Sequence, residues 1–144
     1  VAAENAGYWL KAQKFLERFV QRNPDDPQAN NFLGYLYAEN GVYLDRARNL
    51  IENALEKDPD NGAYLDSLGW VFYKSGALEK SLEYLLEANR ILKDDPVVMQ
   101  HIGDVYLALN LRHKARTIWE RALRETPEST ELRERLNSLE NNRF

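Results

Sequence analysis

Apolar and polar positions along this chain recur with the period of an amphipathic helix, in short segments separated by Gly, Asn-Gly or Asp-Pro. From Tyr8 to Arg22 the spacing puts Ala12, Leu16 and Phe19 on one buried face, and Asn23-Pro24 ends the segment. Asp26 and Pro27 open the next as N-cap and first helical residue, where the missing proline N–H costs nothing. Leu33, Leu36 and Tyr37 share its buried face, and Asn40-Gly41 closes it. After a loop around Val42, one residue longer than its later equivalents, Leu44 to Lys57 predicts a helix burying Ala47, Ile51, Ala54 and Leu55. The same pair then follows twice. Leu65, Leu68 and Phe72 precede Leu82, Leu85, Ala88 and Ile91; Met99, Ile102 and Tyr106 precede Ala115, Ile118, Trp119 and Ala122. A last segment, Thr130 to Glu140, carries Leu132, Leu136 and Leu139 on one face and Glu131, Arg133, Glu134 and Glu140 on the rest. That is the composition of a capping helix with a polar outer surface.

The repeat is visible residue by residue. Gly34, Gly69 and Gly103 are 35 and then 34 residues apart, each after Leu or Ile and three residues before Tyr37, Phe72 or Tyr106. A period in this range predicts a helical solenoid. Glycine inside a helix costs about 0.5–1 kcal/mol relative to alanine, so three of them at one period imply close approach of paired helices. Ala47, Ser81 and Ala115 would sit at the crossings, and Ala54, Ala88 and Ala122 would admit the next first helix. Gly69→Leu is expected to overpack its crossing by about 1–3 kcal/mol or more. Register extended backwards puts Gly7 on the turn position of Gly41 and Gly76, which makes residues 1–7 the tail of a truncated helix. The expected organisation is one array: a truncated repeat over 1–26, full repeats over 27–61, 62–95 and 96–129, and a capping helix over 130–141. A chain that begins inside a repeat suggests a piece of a longer array or an open end.

Composition narrows the classes. A 44% hydrophobic and 11% aromatic content supports a packed core, against disorder. A net charge of −4 argues against a general nucleic-acid binder, which needs a basic surface. The absence of cysteine excludes disulfides and thiolate metal sites. No apolar run reaches the roughly 20 residues of a membrane span, so no direct insertion is expected.

Small residues at the eighth, twentieth and twenty-seventh places, an aromatic at the eleventh and proline near the thirty-second resemble the tetratricopeptide repeat. Departures are Asn30, Leu65 and Met99 where that family often has Trp, Ser81 and Phe19 in place of Ala, and Lys93 in place of the closing Pro. The resemblance implies an all-α, right-handed superhelical solenoid of antiparallel helix hairpins whose first helices line a concave groove. By position the groove residues are then Asn31, Phe32, Tyr35 and Ala38; Asp66, Ser67, Trp70, Tyr73 and Lys74; and Gln100, His101, Asp104 and Leu107. Phe32, Tyr35, Trp70 and Tyr73 would form a solvent-facing aromatic patch, and such patches mark binding surfaces. The implied function is a non-catalytic protein–protein interaction scaffold that holds a peptide or partner segment. A spacer or cap of a longer array, or a self-association module, is the alternative. Relatives that read acidic chaperone tails use a basic clamp; here its positions hold Asn31, Tyr35, Ser67, Val97 and His101, and Asp66 and Asp104 would repel a carboxylate. A basic or aromatic-apolar partner segment is therefore expected, with Trp70→Ala abolishing binding without unfolding the array. NFLGYLYAENGVYLDRARNLIENALEKDPDNGAYLDSLGWVFYKSG and DDPVVMQHIGDVYLALN also resemble the C-terminal repeats of large bacterial tetratricopeptide proteins, some of them outer-membrane lipoproteins. That likeness points to the periplasm, with the cytoplasm as the alternative.

Other chemistry is weaker. Ser67, His101 and Asp66 or Asp104 invite a hydrolase reading, yet an open helical face supplies no oxyanion hole or strained nucleophile, so no enzyme is expected. His101 and Asp104 at i, i+3 are two ligands, short of a metal site, and no cofactor is implied. Arg112, His113, Lys114, Arg116, Arg121 and Arg124 make one helix basic, as a solvated face would be. Tyr8, Trp9, Phe15 and Phe19, with no partner helix of their own, could drive homo-oligomerisation, and the tail Asn141 to Phe144 is expected to fray.

Overall fold

The computed structural model describes residues 2–141, with side chains from Ala6 onward. Within that range the regular structure is entirely helical: α1 (Ala2–Arg22), α2 (Pro27–Glu39), α3 (Leu44–Lys57), α4 (Gly62–Lys74), α5 (Leu78–Leu92), α6 (Pro96–Ala108), α7 (Arg112–Glu125) and α8 (Thr130–Glu140). Helices α2 and α3, α4 and α5, and α6 and α7 pair as hairpins, and α2, α4 and α6 stack in sequence.

Local chemistry explains where these helices start and stop. The first helix of each hairpin has a side-chain N-cap: Asp26 accepts from the Ala29 N–H at 3.0 Å, Asn61 from Tyr64 at 3.1 Å, and Asp95 from Val97 at 2.9 Å. Each of these helices ends through a left-handed residue, Gly41, Gly76 or Asn110, at φ of 67°, 84° and 63°. The next residue then donates back across the turn, Val42 to Tyr37 O, Ala77 to Phe72 O and Leu111 to Tyr106 O. This bond satisfies a carbonyl the helix would otherwise leave orphaned. Where the closing proline is missing, Lys93 and Asp94 both turn left-handed, at φ of 54° and 64°.

The crossings follow the small residues. Ile51 lies over Gly34, Leu85 over Gly69 and Trp119 over Gly103, all three large side chains fully buried. Ala47, Ala54, Ala88, Ala115 and Ala122 are equally inaccessible. Ser81 stands among these alanines because its hydroxyl donates to the Gly69 carbonyl at 2.7 Å, which satisfies both groups in the core. Helix α8 closes the far end with Leu132 and Leu139 buried against the α6–α7 hairpin.

Two expectations fail at the first helix. α1 is continuous through Gly7, which makes no turn and has no left-handed φ, unlike Gly41 and Gly76. Nothing lies within 4 Å of where its Cβ would be, so neither packing nor turn geometry acts on it. Phe19, expected to be buried, is 38% exposed, and Val20 beside it is the residue that packs inside. The equivalent places hold Ala54, Ala88 and Ala122, and a phenyl ring does not fit the gap an alanine fills. The end of the tail, residues 142–144, lies outside the described residues.

Candidate functional site

Adjacent first helices touch through side chains 31 or 35 positions apart, and these contacts build one surface. Trp70 Nε1 on α4 donates to Glu39 on α2 at 3.0 Å. His101 on α6 donates from Nδ1 to Asp66 on α4 at 2.8 Å. Arg135 on α8 holds Asp104 on α6 with two bonds, 2.8 and 3.2 Å, and Gln100 donates to Glu131 at 3.3 Å. His101 stacks on Trp70 with ring centroids 4.0 Å apart, and Tyr73 stacks on it at 4.6 Å. The Lys74 ammonium lies 5.4 Å from the centre of the Trp70 ring.

These side chains surround a cavity of about 410 Å³ lined by Trp9, Tyr35, Glu39, Trp70, Val97, Gln100, His101, Asp104, Glu131 and Arg135. Five helices contribute to it. A second cavity of about 520 Å³, mostly apolar, lies between α1 and the N-terminal ends of α2 and α4. Phe15, Leu16, Phe19, Ala29, Asn31, Phe32, Ala63 and Tyr64 line it, with Phe32 66% exposed. The Asn31 side-chain oxygen is buried there without a hydrogen-bond partner.

Electrostatics in the first cavity follow from burial. The Tyr35 phenol is pushed up, first by desolvation and then by the Glu39 and Asp66 carboxylates near it. Tyr73 shifts the same way, through burial and Asp104. The Asp104 carboxyl is also raised: desolvation outweighs the Arg135 pairing that would hold it down. For Arg135 desolvation is again the largest single effect and pulls the guanidinium down, but the Asp104 pairing together with the charges of Glu131 and Tyr73 exceeds it and raises it.

The structure therefore divides the expected residues. Tyr35, Trp70, Gln100, His101 and Asp104 share the first cavity; Asn31 and Phe32 belong to the second. Trp70 is not a solvent-facing aromatic: it is 6% exposed, because His101, Tyr73 and Glu39 cover it. Asp66 lies buried under His101, and Ala38 is fully enclosed in the core instead of facing the groove. Ser67 is buried too, its hydroxyl given to the Ala63 carbonyl of its own helix, which leaves the imagined triad with only its His101–Asp66 pair. Neither Asp66 nor Asp104 is a free carboxylate poised to repel an anion, since His101 and Arg135 hold them. His101 and Asp104 therefore point to different partners, and no group of three or more metal-ligating side chains exists among the described residues.

Trp9, Glu39 and Arg135 were not foreseen. For Glu39 the signal was present, since the register that selects Lys74 selects Glu39 35 residues earlier. Arg135 follows if α8 is treated as one more first helix.

A family model for the tetratricopeptide repeat matches residues 2–43 and 44–96. The chain belongs to the tetratricopeptide repeat family. Solved structures of the same fold include MamA, at 14% identity with a TM-score of 0.73, covering 97% of this chain and 81% of that one. The first tetratricopeptide domain of Spaghetti (RPAP3), solved with the HSP90 peptide SRMEEVD, is 16% identical with a TM-score of 0.72 over 81% of this chain and 91% of that one. The Cut9–Hcn1 structure reaches a TM-score of 0.80 at 22% identity, over 95% of this chain and 28% of that one. No curated protein is a significant match. The all-α solenoid of helix hairpins is thus the fold of this family, one generally used for protein interaction and not for catalysis. No helix among the described residues is long and apolar enough to cross a membrane.

Proposed function

We propose that the groove over α2, α4, α6 and α8 binds a segment of a partner protein and does no chemistry on it. The observation that carries this reading is the 410 Å³ cavity on which aromatic and polar side chains from five helices converge. Tyr35, Trp70, Gln100, His101 and Asp104 form its inner surface, with Asp66, Ser67, Tyr73 and Lys74 supporting them; Asn31 and Phe32 extend it into the apolar cavity. The Spaghetti domain holds an acidic peptide in this fold. Here Asn31, Tyr35, Ser67, Val97 and His101 stand where a basic clamp would be, so a basic or aromatic-apolar segment suits this groove better. The working division is a partial repeat over 1–26, repeats over 27–61, 62–95 and 96–129, and the cap over 130–141.

Selection of random dodecapeptides on the immobilised chain tests this. Enriched peptides should shift the Trp70 indole resonance and lose affinity for a folded Tyr35→Ala, Gln100→Ala variant. Binders that ignore this variant, or that map to the outer faces of α3, α5 and α7, would refute the groove.

A second reading rests on α1. Tyr8, Trp9, Leu10 and Phe15 are all exposed at 40% or more, apolar surface on more than one face of α1 that favours self-association. Sedimentation across a concentration series should then show a rising mass; a monomer throughout counts against it.

A further inference from the structure

Among the carboxylates of the groove, one has no basic side chain bonded to it. Asp66 has His101, Asp104 has Arg135, and Glu131 lies 4.0 Å from Arg135. Glu39, an exposed residue, accepts the neutral Trp70 N–H at 3.0 Å and has the Tyr35 hydroxyl as a second neutral hydrogen-bonding neighbour; no ion pair to it exists among the described residues. The Lys74 ammonium lies over the Trp70 ring and acts on Asp104.

Its place in the fold adds to this. Glu39 is the last residue of α2, where the helix dipole is negative, and α2 has no basic residue in that turn. A carboxylate there is locally unfavourable; α3, α4, α5 and α7 carry Lys or Arg at the corresponding end, whereas α2, like α6 and α8, carries none. Trp9, 40% exposed, and the Tyr35 ring line the same cavity as Glu39.

We infer that Glu39 is the docking point for an arginine side chain of the partner segment, its guanidinium paired to the Glu39 carboxylate and lying against Tyr35 and Trp9. A planar guanidinium matches both demands, since it forks onto a carboxylate and stacks on aromatic faces where an ammonium does neither as well. This rests on the groove being the binding surface and names what it recognises.

The test uses Nα-acetyl-arginine amide and its neutral isostere, Nα-acetyl-citrulline amide, titrated into the full chain while the Trp70 indole N–H resonance is followed. Arginine amide should shift that resonance saturably and citrulline amide should not. Glu39→Gln keeps an acceptor for Trp70 and removes the charge, so it should weaken the arginine response by about tenfold or more. Equal responses to the two amides, or an unchanged response in a folded Glu39→Gln chain, would overturn the assignment. Groove-binding dodecapeptides that tolerate citrulline at every arginine would sink it while sparing the groove. If neither peptide nor arginine amide reaches the Trp70 signal, both readings fall.

Discussion

Replacing Gly103 by alanine adds one methyl group, and the sign of its effect decides whether the crossing geometry is right. In an unpacked helix the change would stabilise by about 0.5–1 kcal/mol through lost unfolded-state freedom. Here the new Cβ would meet Trp119 Nε1 at 2.0 Å, Cδ1 at 2.3 Å and Cε2 at 2.6 Å. The indole must therefore retreat by more than about an ångström to reach ordinary contact distance. It has nowhere easy to go: Trp119 is fully buried, and its Nε1 donates to the Gln100 carbonyl at 3.2 Å. Overpacking costs about 1–3 kcal/mol, and a strained or broken buried hydrogen bond adds about 1–3 kcal/mol. After subtracting the helix gain, the net loss should be about 1–5.5 kcal/mol. For a chain of this size that lowers the midpoint by roughly 3–18 °C.

Thermal and urea denaturation followed by far-ultraviolet circular dichroism read this directly. The companion variant is Trp119→Leu, which gives the third hairpin the side chain the second has at Leu85. The double variant should recover at least half the loss, because the two changes share one contact. A Gly103→Ala chain that melts at or above the parent would refute the packing account. The effect should be graded along the array. At Gly34 the Cβ meets Ile51 Cγ1 at 2.7 Å and the rigid Ala47 carbonyl at 2.9 Å, whereas at Gly69 it meets mainly Leu85, at 2.7 and 2.8 Å. Leu85 can rotate away more readily than a backbone oxygen, so Gly69→Ala should be the mildest of the three.

Trp70→Ala should lose about 3–5 kcal/mol of stability, as truncation of a buried aromatic does, so loss of binding in it would say little; its melting curve checks this. Tyr37→Phe removes the bond by which Tyr37 donates to Glu17 at 2.6 Å, the tie between α1 and α2. About 1 kcal/mol should go, with faster amide exchange in α1. Asp104 titrates above the ordinary aspartate range because desolvation exceeds its gain from Arg135. The folded chain therefore binds that proton more tightly than the unfolded one, and the contribution is fully present at pH below the unfolded value. It declines as pH rises through the raised folded value, so stability relative to Asp104→Asn should fall over that window and then level off. A difference that grows with pH there would contradict the burial argument.

The hairpins were legible because their requirements are local and repeated. Gly34, Gly69 and Gly103 need a large partner above them, and Ile51, Leu85 and Trp119 stand at the matching places. Caps and turns were equally readable, since Asp26-Pro27, Asp95-Pro96 and Asn40-Gly41 each act within a few residues. The groove was legible only as a set of positions. Which of its side chains face water depends on partners 31 or 35 residues away: Tyr73 is the i+3 neighbour of Trp70 and was readable, but the His101 ring that covers Trp70 comes from 31 residues on, a contact no helical period encodes. Phe19 misled for the opposite reason: its position was right and its volume was wrong.

That same remoteness ties recognition to stability. Glu39–Trp70, Asp66–His101, and Asp104–Arg135 with Gln100–Glu131 link successive first helices through side chains, and the first belongs to the proposed docking point. In a repeat array stability is close to a sum of units and nearest-neighbour interfaces, so a ligand at one link acts mainly on the two helices it joins. A partner segment at about a hundred times its Kd would stabilise the folded chain by about 2.7 kcal/mol. Amide exchange should then slow most in α2 and α4 and least in α7, whose indole contacts lie across another interface. Uniform slowing along the array would mean that the ligand acts on the whole stack and not through the Glu39–Trp70 link.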